Sequence, residues 1–254
     1  MAFLDVHCFS ETLAMSVSFC VLLPDGPVRR PYPTLYLLHG LSDDHTIWLR
    51  RTSIERYAAA RNLAVIMPSV ARSFYQDMAS GPRYWTFLSE ELPTLCRQWF
   101  PLSSAREDNF AVGLSMGGYG ALRLALSQPD QFAAAASLSG ALDLARRLRE
   151  AGREGSLVSR AEWEGIFGRD LAGTGAEFDP FTLARKVASS NGPKPKLFLC
   201  CGTEDALLEE SRAFRQHLDW LNLPTTYEES SGQHEWAYWD SQIQRVLSWL
   251  PLRD

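Results

Sequence analysis

The chain lacks any apolar run near the roughly 20 residues that cross a bilayer. Its start, Met1-Ala2-Phe3-Leu4-Asp5-Val6-His7, carries no basic segment followed by an apolar one. The expectation is a cytoplasmic protein with no membrane partner. Cysteine is scarce: Cys8, Cys20, Cys96, Cys200 and Cys201 are odd in number and show no Cys-x-x-Cys spacing. Neither a disulfide framework nor a zinc site is expected, and the five read as reduced core thiols. The neighbours Cys200 and Cys201 point to opposite faces of a strand, which argues against a bridge between them. Basic residues are outnumbered, 25 Lys and Arg against 30 Asp and Glu, for a net charge of −5. A nucleic-acid or anionic-membrane partner needs the reverse. No Gly-x-x-x-x-Gly-Lys is present, and Gly173-Thr174-Gly175-Ala176-Glu177-Phe178 fails the dinucleotide fingerprint at its last position and follows no buried strand. No nucleotide cofactor is implied. His234-Glu235 does not extend to His-Glu-x-x-His, because position 238 is Tyr238, so no metal is expected there either. Repeats, low-complexity tracts and flexible linkers are missing as well.

What is present is 254 residues with 46% hydrophobic content, enough for one large α/β domain with a substantial core. Residues 4–9 and 16–23 alternate as antiparallel edge strands, turned by Pro24-Asp25-Gly26-Pro27. Residues 34–38 are continuously apolar, as a strand buried on both faces must be. A helix over 48–62 and a strand over 63–67 complete a βαβ unit, and an amphipathic helix over 84–100, kinked at Pro93, leads to the next strand. Residues 132–140 form a small-residue strand. From 141 to 195 the alternation breaks down, predicting an insertion above the strand ends that acts as a cap. Its Arg146, Arg147, Arg149 and Arg153, interleaved with Glu150 and Glu154, read as a solvated helix face rather than an anion site. Strands resume at 196–201 and 225–229.

The chemistry-bearing stretch is Ala111-Val112-Gly113-Leu114-Ser115-Met116-Gly117-Gly118-Tyr119-Gly120, in which a buried strand runs through Gly-x-Ser-x-Gly into a helix. A serine in so tight a turn needs small neighbours, and the turn exposes its Oγ as a nucleophile. The following helix aims its first amides at the same point, making Met116 N–H one oxyanion donor. The second donor in this arrangement comes from the loop after the third strand, here His39-Gly40-Leu41-Ser42, and is assigned to Leu41 N–H, with Gly40 letting the chain approach the substrate. His39 is read as holding that loop by hydrogen bonding rather than as a base. Asp205 in Gly202-Thr203-Glu204-Asp205 lies just past a strand end, where a carboxylate can orient an imidazole; Glu204 is the alternative. His234, in the loop opening the last helix, stands where the general base belongs. The chain order Ser115, Asp205, His234 is that of α/β-hydrolases. His7 and His217 read as structural, and His45 as a loop residue able to touch substrate. Trp48 and Trp236, near the strand ends, are candidate substrate contacts.

Together with the 48–56 helix, Ser139-Gly140-Ala141-Leu142 and His234-Glu235-Trp236, these motifs resemble the tributyrin-esterase branch of the esterase D family over nearly the whole chain. The resemblance implies an α/β-hydrolase fold: a mostly parallel eight-stranded sheet, helices on both faces and a small cap at about 141–195. It implies a serine carboxylesterase acting on short-chain acyl esters, with Ser115, Asp205 and His234 as the triad, Leu41 and Met116 as oxyanion donors, and neither cofactor nor metal. The family also contains S-formylglutathione hydrolases, and antigen-85-type mycolyltransferases are more distantly similar. Thioester hydrolysis and acyl transfer to an alcohol are therefore the alternatives, and a non-catalytic binding role is opposed by the intact triad. The partner is a small-molecule ester, with a homodimer or homotetramer as an allowed assembly.

Overall fold

Runs of Val, Leu, Ile, Ala and Phe too continuous to leave one face wet build an eight-stranded sheet. Its strands are β1 (Ala2–Ser10), β2 (Met15–Leu23), β3 (Thr34–Leu38), β4 (Ala64–Pro68), β5 (Asn109–Leu114), β6 (Ala134–Leu138), β7 (Lys196–Gly202) and β8 (Thr225–Ser230). They lie in the order β1-β2-β4-β3-β5-β6-β7-β8. From β4 to β8 all pairs are parallel, while β1 and β2 pair antiparallel and β2 meets β4 antiparallel. The computed structural model describes residues 1–25, 30–171 and 177–253. The turn expected at 24–27 and the rejected fingerprint at 173–178 fall partly outside the described residues.

Alternation along the central strands feeds two apolar layers. Tyr36 and Leu38 of β3 join one cluster with Met116, Tyr119 and Leu122; Leu35 and Leu37 join the other with Trp48, Ile54 and Ile243. Helices therefore cover both faces, Met116–Ser127 on the first side and Ile54–Ala59 with Trp236–Trp249 on the second. No helix among the described residues is long and apolar enough to cross a membrane.

Three local expectations are corrected. β2 is an interior strand, covered by β1 on one side and β4 on the other, so only β1 of that pair is an edge. The helix expected over 48–62 is broken into Ile47–Arg51 and Ile54–Ala59, because Thr52 is extended and its Oγ1 donates to Trp48 O (2.6 Å) and accepts from Ile54 N–H (3.2 Å). A β-branched hydroxyl residue that bonds the neighbouring backbone competes with the helix in this way. The 84–99 helix carries a π turn at Phe87–Glu91, immediately before Leu92–Trp99. That wider turn accommodates Pro93, which has no N–H to give the ladder.

The 141–195 segment contributes the helices Leu144–Arg149, Arg160–Phe167 and Pro180–Ser189. Its arginines are not simply solvated. Arg146 and Arg147 each place a guanidinium nitrogen 2.8 Å from Oε1 of Glu210, whose side chain is only 2% exposed, and Asp143 N–H donates to its Oε2. The anion they meet is internal, supplied by the helix Leu208–Trp220.

Candidate active site

Ser115 sits between β5 and the helix Met116–Ser127 with φ 53° and ψ −118°, a conformation costing about 1–3 kcal/mol that surrounding structure must impose. Backbone bonds do so: Ser115 N–H donates to Leu138 O (2.9 Å), and its carbonyl accepts from Tyr119 N–H and Ala141 N–H. The flanking glycines are dictated by space. A Cβ on Gly113 would lie 2.3 Å from Gly117 O, and one on Gly117 would lie 2.5 Å from Leu38 O. Helix, β5 and β3 approach too closely there for any side chain.

The three sequence candidates meet at the C-terminal ends of β5, β7 and β8. His234 Nε2 is 3.0 Å from Ser115 Oγ, and its Nδ1 is 2.8 Å from Asp205 Oδ2. Asp205 is buried and His234 partly exposed. Burial alone would raise the Asp205 carboxyl, but the bond from His234, the Leu207 N–H donated to Oδ1 (2.8 Å) and the nearby imidazole outweigh it and hold the group below the usual carboxylate range. It stays ionised, which fixes the proton on Nδ1 and leaves Nε2 facing the serine as an acceptor. Glu204, the alternative acid, faces elsewhere: its carboxylate accepts from Gly232 N–H (2.6 Å) and Thr203 Oγ1 (2.8 Å), tethering the loop that carries His234.

Met116 opens its helix, so its N–H has no intrahelical acceptor. Leu41 N–H likewise has no acceptor among the described residues. The Leu41 loop is held by a buried chain of bonds. His39 accepts from Val70 N–H at Nε2 (3.1 Å) and donates from Nδ1 to Gly40 O (2.7 Å), while Tyr75 Oη donates to His39 O (2.8 Å). Tyr75 O in turn accepts from the buried guanidinium of Arg123, which lies over the Trp85 ring at 3.8 Å. His39 thus has the loop-holding geometry and no path to Ser115.

Burial pushes His39 down to about 4, and this has a measurable consequence. A histidine depressed on folding takes up its proton in the unfolded chain first, so between the ordinary imidazole value and about 4 stability falls as pH falls. Chemical denaturation is expected to show about 2 kcal/mol less stability at pH 5 than at pH 7 from this group. His39→Gln should be less stable at pH 7 yet lose less over the same interval. An equal loss in both proteins would remove His39 as the cause.

Above Ser115 opens a cavity of about 490 Å³, lined by Leu41, Phe74, Met116, Val158 and Trp163 and by the charged Arg146, Arg153 and Glu154. Trp48 and Trp236, read as substrate contacts, are not in this wall. Trp48 is 1% exposed, donates from Nε1 to Leu38 O (3.1 Å), and packs edge-on against Trp236. Both belong to the opposite core layer. Gly40 is buried against Leu114 and Ser115 beneath the loop, and His45 also stands away from the cavity. The aromatic wall is instead Phe74 and Trp163, with ring centroids 4.7 Å apart. Phe74 occupies a left-handed turn (φ 49°), which no sequence pattern announced, and Trp163 lies in the segment where periodicity was weakest.

Fold and geometry together define a serine hydrolase of the α/β-hydrolase class, a carboxylic ester hydrolase. The chain belongs to the Esterase family, whose model, described as "Putative esterase", matches residues 10–250. It is 30% identical to an acetyl esterase of Caldicellulosiruptor saccharolyticus, covering 98% of each chain. Among solved structures it is similar to FphF, a fluorophosphonate-binding serine hydrolase of Staphylococcus aureus, with a TM-score of 0.90 and 38% identity over 100% of this chain and 99% of that one. It is equally similar in sequence, 38%, to the S-formylglutathione hydrolase FrmB of the same organism, with a TM-score of 0.87 over 98% of both chains.

Proposed function

We propose that the chain hydrolyses short-chain acyl esters through an acyl-enzyme on Ser115, within one α/β-hydrolase domain whose 141–195 segment caps the site. The supporting observation is the relay from Ser115 Oγ through His234 to Asp205, at 3.0 and 2.8 Å, on the floor of a cavity with apolar walls. His234 Nε2 takes the Ser115 proton as Oγ attacks the ester carbonyl, and Asp205 stabilises the resulting imidazolium. The oxyanion is received by Leu41 and Met116 N–H. His234 then passes its proton to the departing alcohol. A water deprotonated by the same nitrogen attacks the acyl group, and the proton returns to Ser115 as the acid leaves. Five unbridged cysteines suit a reducing, cytoplasmic location.

The short acyl preference rests on the Phe74 and Trp163 rings, which pack against each other in the cavity wall. Each methylene that fits should improve binding by up to about 0.8 kcal/mol, and the first that does not should cost at least as much in strain. Across p-nitrophenyl esters from acetate to palmitate, kcat/KM is expected to peak between acetate and butyrate and then fall. A steady rise past octanoate would refute a short pocket. S-formylglutathione belongs in the same panel because of the similarity to FrmB, and a large preference for it would move the function to thioester hydrolysis.

A further inference from the structure

On the far side of the sheet, three potential ligands from distant parts of the chain converge. Asp5 of β1 and Cys20 of β2 are direct partners in the antiparallel register, so both side chains leave the same face of the ribbon. His45, from the loop after β3, leans over that face with Nε2 3.9 Å from Asp5 Oδ1. One ligand atom from each of the three lies within 4.8 Å of the other two.

The histidine is the telling member. At 3.9 Å its Nε2 is too far from Asp5 for a hydrogen bond, and its Nδ1 is buried with no partner among the described residues, although the side chain is only 17% exposed. Buried polar nitrogens are almost always satisfied, and this one is not. Cys20 is likewise buried, with no side-chain hydrogen bond among the described residues. The second oxygen of Asp5 already has a neighbour in His7, whose Nε2 lies 3.4 Å away and whose Nδ1 is bonded to Ser18 Oγ (2.9 Å). Such an outer partner orients a ligating carboxylate.

We propose that Asp5, Cys20 and His45 bind a zinc ion. A thiolate, an imidazole and a carboxylate form a donor set for tetrahedral zinc, whereas magnesium and calcium select oxygen alone. Zinc bond lengths of about 2.0–2.3 Å put tetrahedral ligands roughly 3.3–3.8 Å apart, so a cluster within 4.8 Å need contract by no more than about 1.5 Å. Asp5, half-exposed, can turn inward to close it. The Cys20 proton leaves to solvent as the thiolate binds, and water takes the fourth position. None of the three residues lines the ester cavity, so the ion is no part of the hydrolytic site. It clips the sheet edge to the loop that carries Leu41. Sequence spacing gave no sign of it because the ligands come from two strands and a loop that only register brings together.

The full chain, stripped with a chelator and titrated with zinc chloride, is expected to bind one equivalent, with a rise in Tm. Cobalt(II) in place of zinc should give the near-ultraviolet charge-transfer band of a thiolate ligand. Cys20→Ser and His45→Gln should each weaken zinc binding by about 100-fold or more, and Cys20→Ser should abolish the cobalt band. Asp5→Asn, at an exposed position, should weaken zinc binding while its ester turnover without metal stays at the parent level, which separates ligand loss from misfolding. No zinc-dependent Tm shift in the parent protein would overturn the site, as would unchanged stoichiometry and affinity in the variants.

Discussion

Ser115→Ala is expected to lower kcat/KM for any ester the enzyme accepts by roughly 10⁴-fold or more, with the thermal unfolding curve close to that of the parent. The cavity and the two amides proposed to receive the oxyanion survive the change, but they act on a carbonyl that nothing attacks. Stability should hold because Ser115 Oγ bonds only to His234 among the described residues, and alanine meets the same left-handed backbone that serine already tolerates. A fluorophosphonate probe should label the parent at Ser115 and leave the variant untouched. Labelling at another residue, or turnover within about tenfold of the parent, would sink the assignment of the nucleophile.

The second large effect separates two adjacent acids. Asp205→Asn is expected to cut kcat by about 10³- to 10⁴-fold, because an amide at 2.8 Å from His234 Nδ1 can present N–H to it, stabilising the wrong tautomer and leaving the imidazolium without its counter-charge. Glu204→Gln should cost far less. Its oxygens tether Gly232 N–H and the Thr203 and Ser231 hydroxyls on an exposed loop, and a glutamine carbonyl can still accept from Gly232. Steady-state kinetics of both variants decide the matter, since the reverse ranking would transfer the orienting role to Glu204.

The residues brought together around Ser115 were legible because each sits in a motif whose geometry is local. Gly-x-Ser-x-Gly needs only a strand before it and a helix after it, and Asp205 and His234 each follow the end of a parallel strand. The parallel sheet was legible for a related reason: β3, β5 and β6 are apolar at all but one position each, Thr34, Asn109 and Ser137, which admits little but a strand covered on both sides. The substrate wall was not. Trp48 follows the His39-Gly40-Leu41 loop closely in sequence, but nothing in its neighbours tells which layer it enters; it packs in the layer opposite the Met116 helix, with its Nε1 donating to the Leu38 carbonyl of β3. Phe74 and Trp163 reach the cavity through a left-handed turn and a short helix set by tertiary packing. The split at Thr52 turned on a single hydroxyl choosing between two backbone partners, a competition that periodicity does not register.

The pairing of Arg146 and Arg147 with a buried Glu210 bears on how the enzyme meets its solvent. At about 1 M salt the screening length shrinks to roughly 3 Å, which weakens exposed ion pairs and scarcely touches one whose carboxylate is out of water. In the pairs farther along the 141–195 segment, Arg153 with Glu150, Arg160 with Glu164, and Glu162 with Arg72 from outside it, the carboxylates are 27–45% exposed, against 2% for Glu210. Rising ionic strength therefore loosens the distal rim of the cavity first, while its inner edge stays pinned at Glu210 and the buried carboxylate of Asp205 remains sheltered from the added ions.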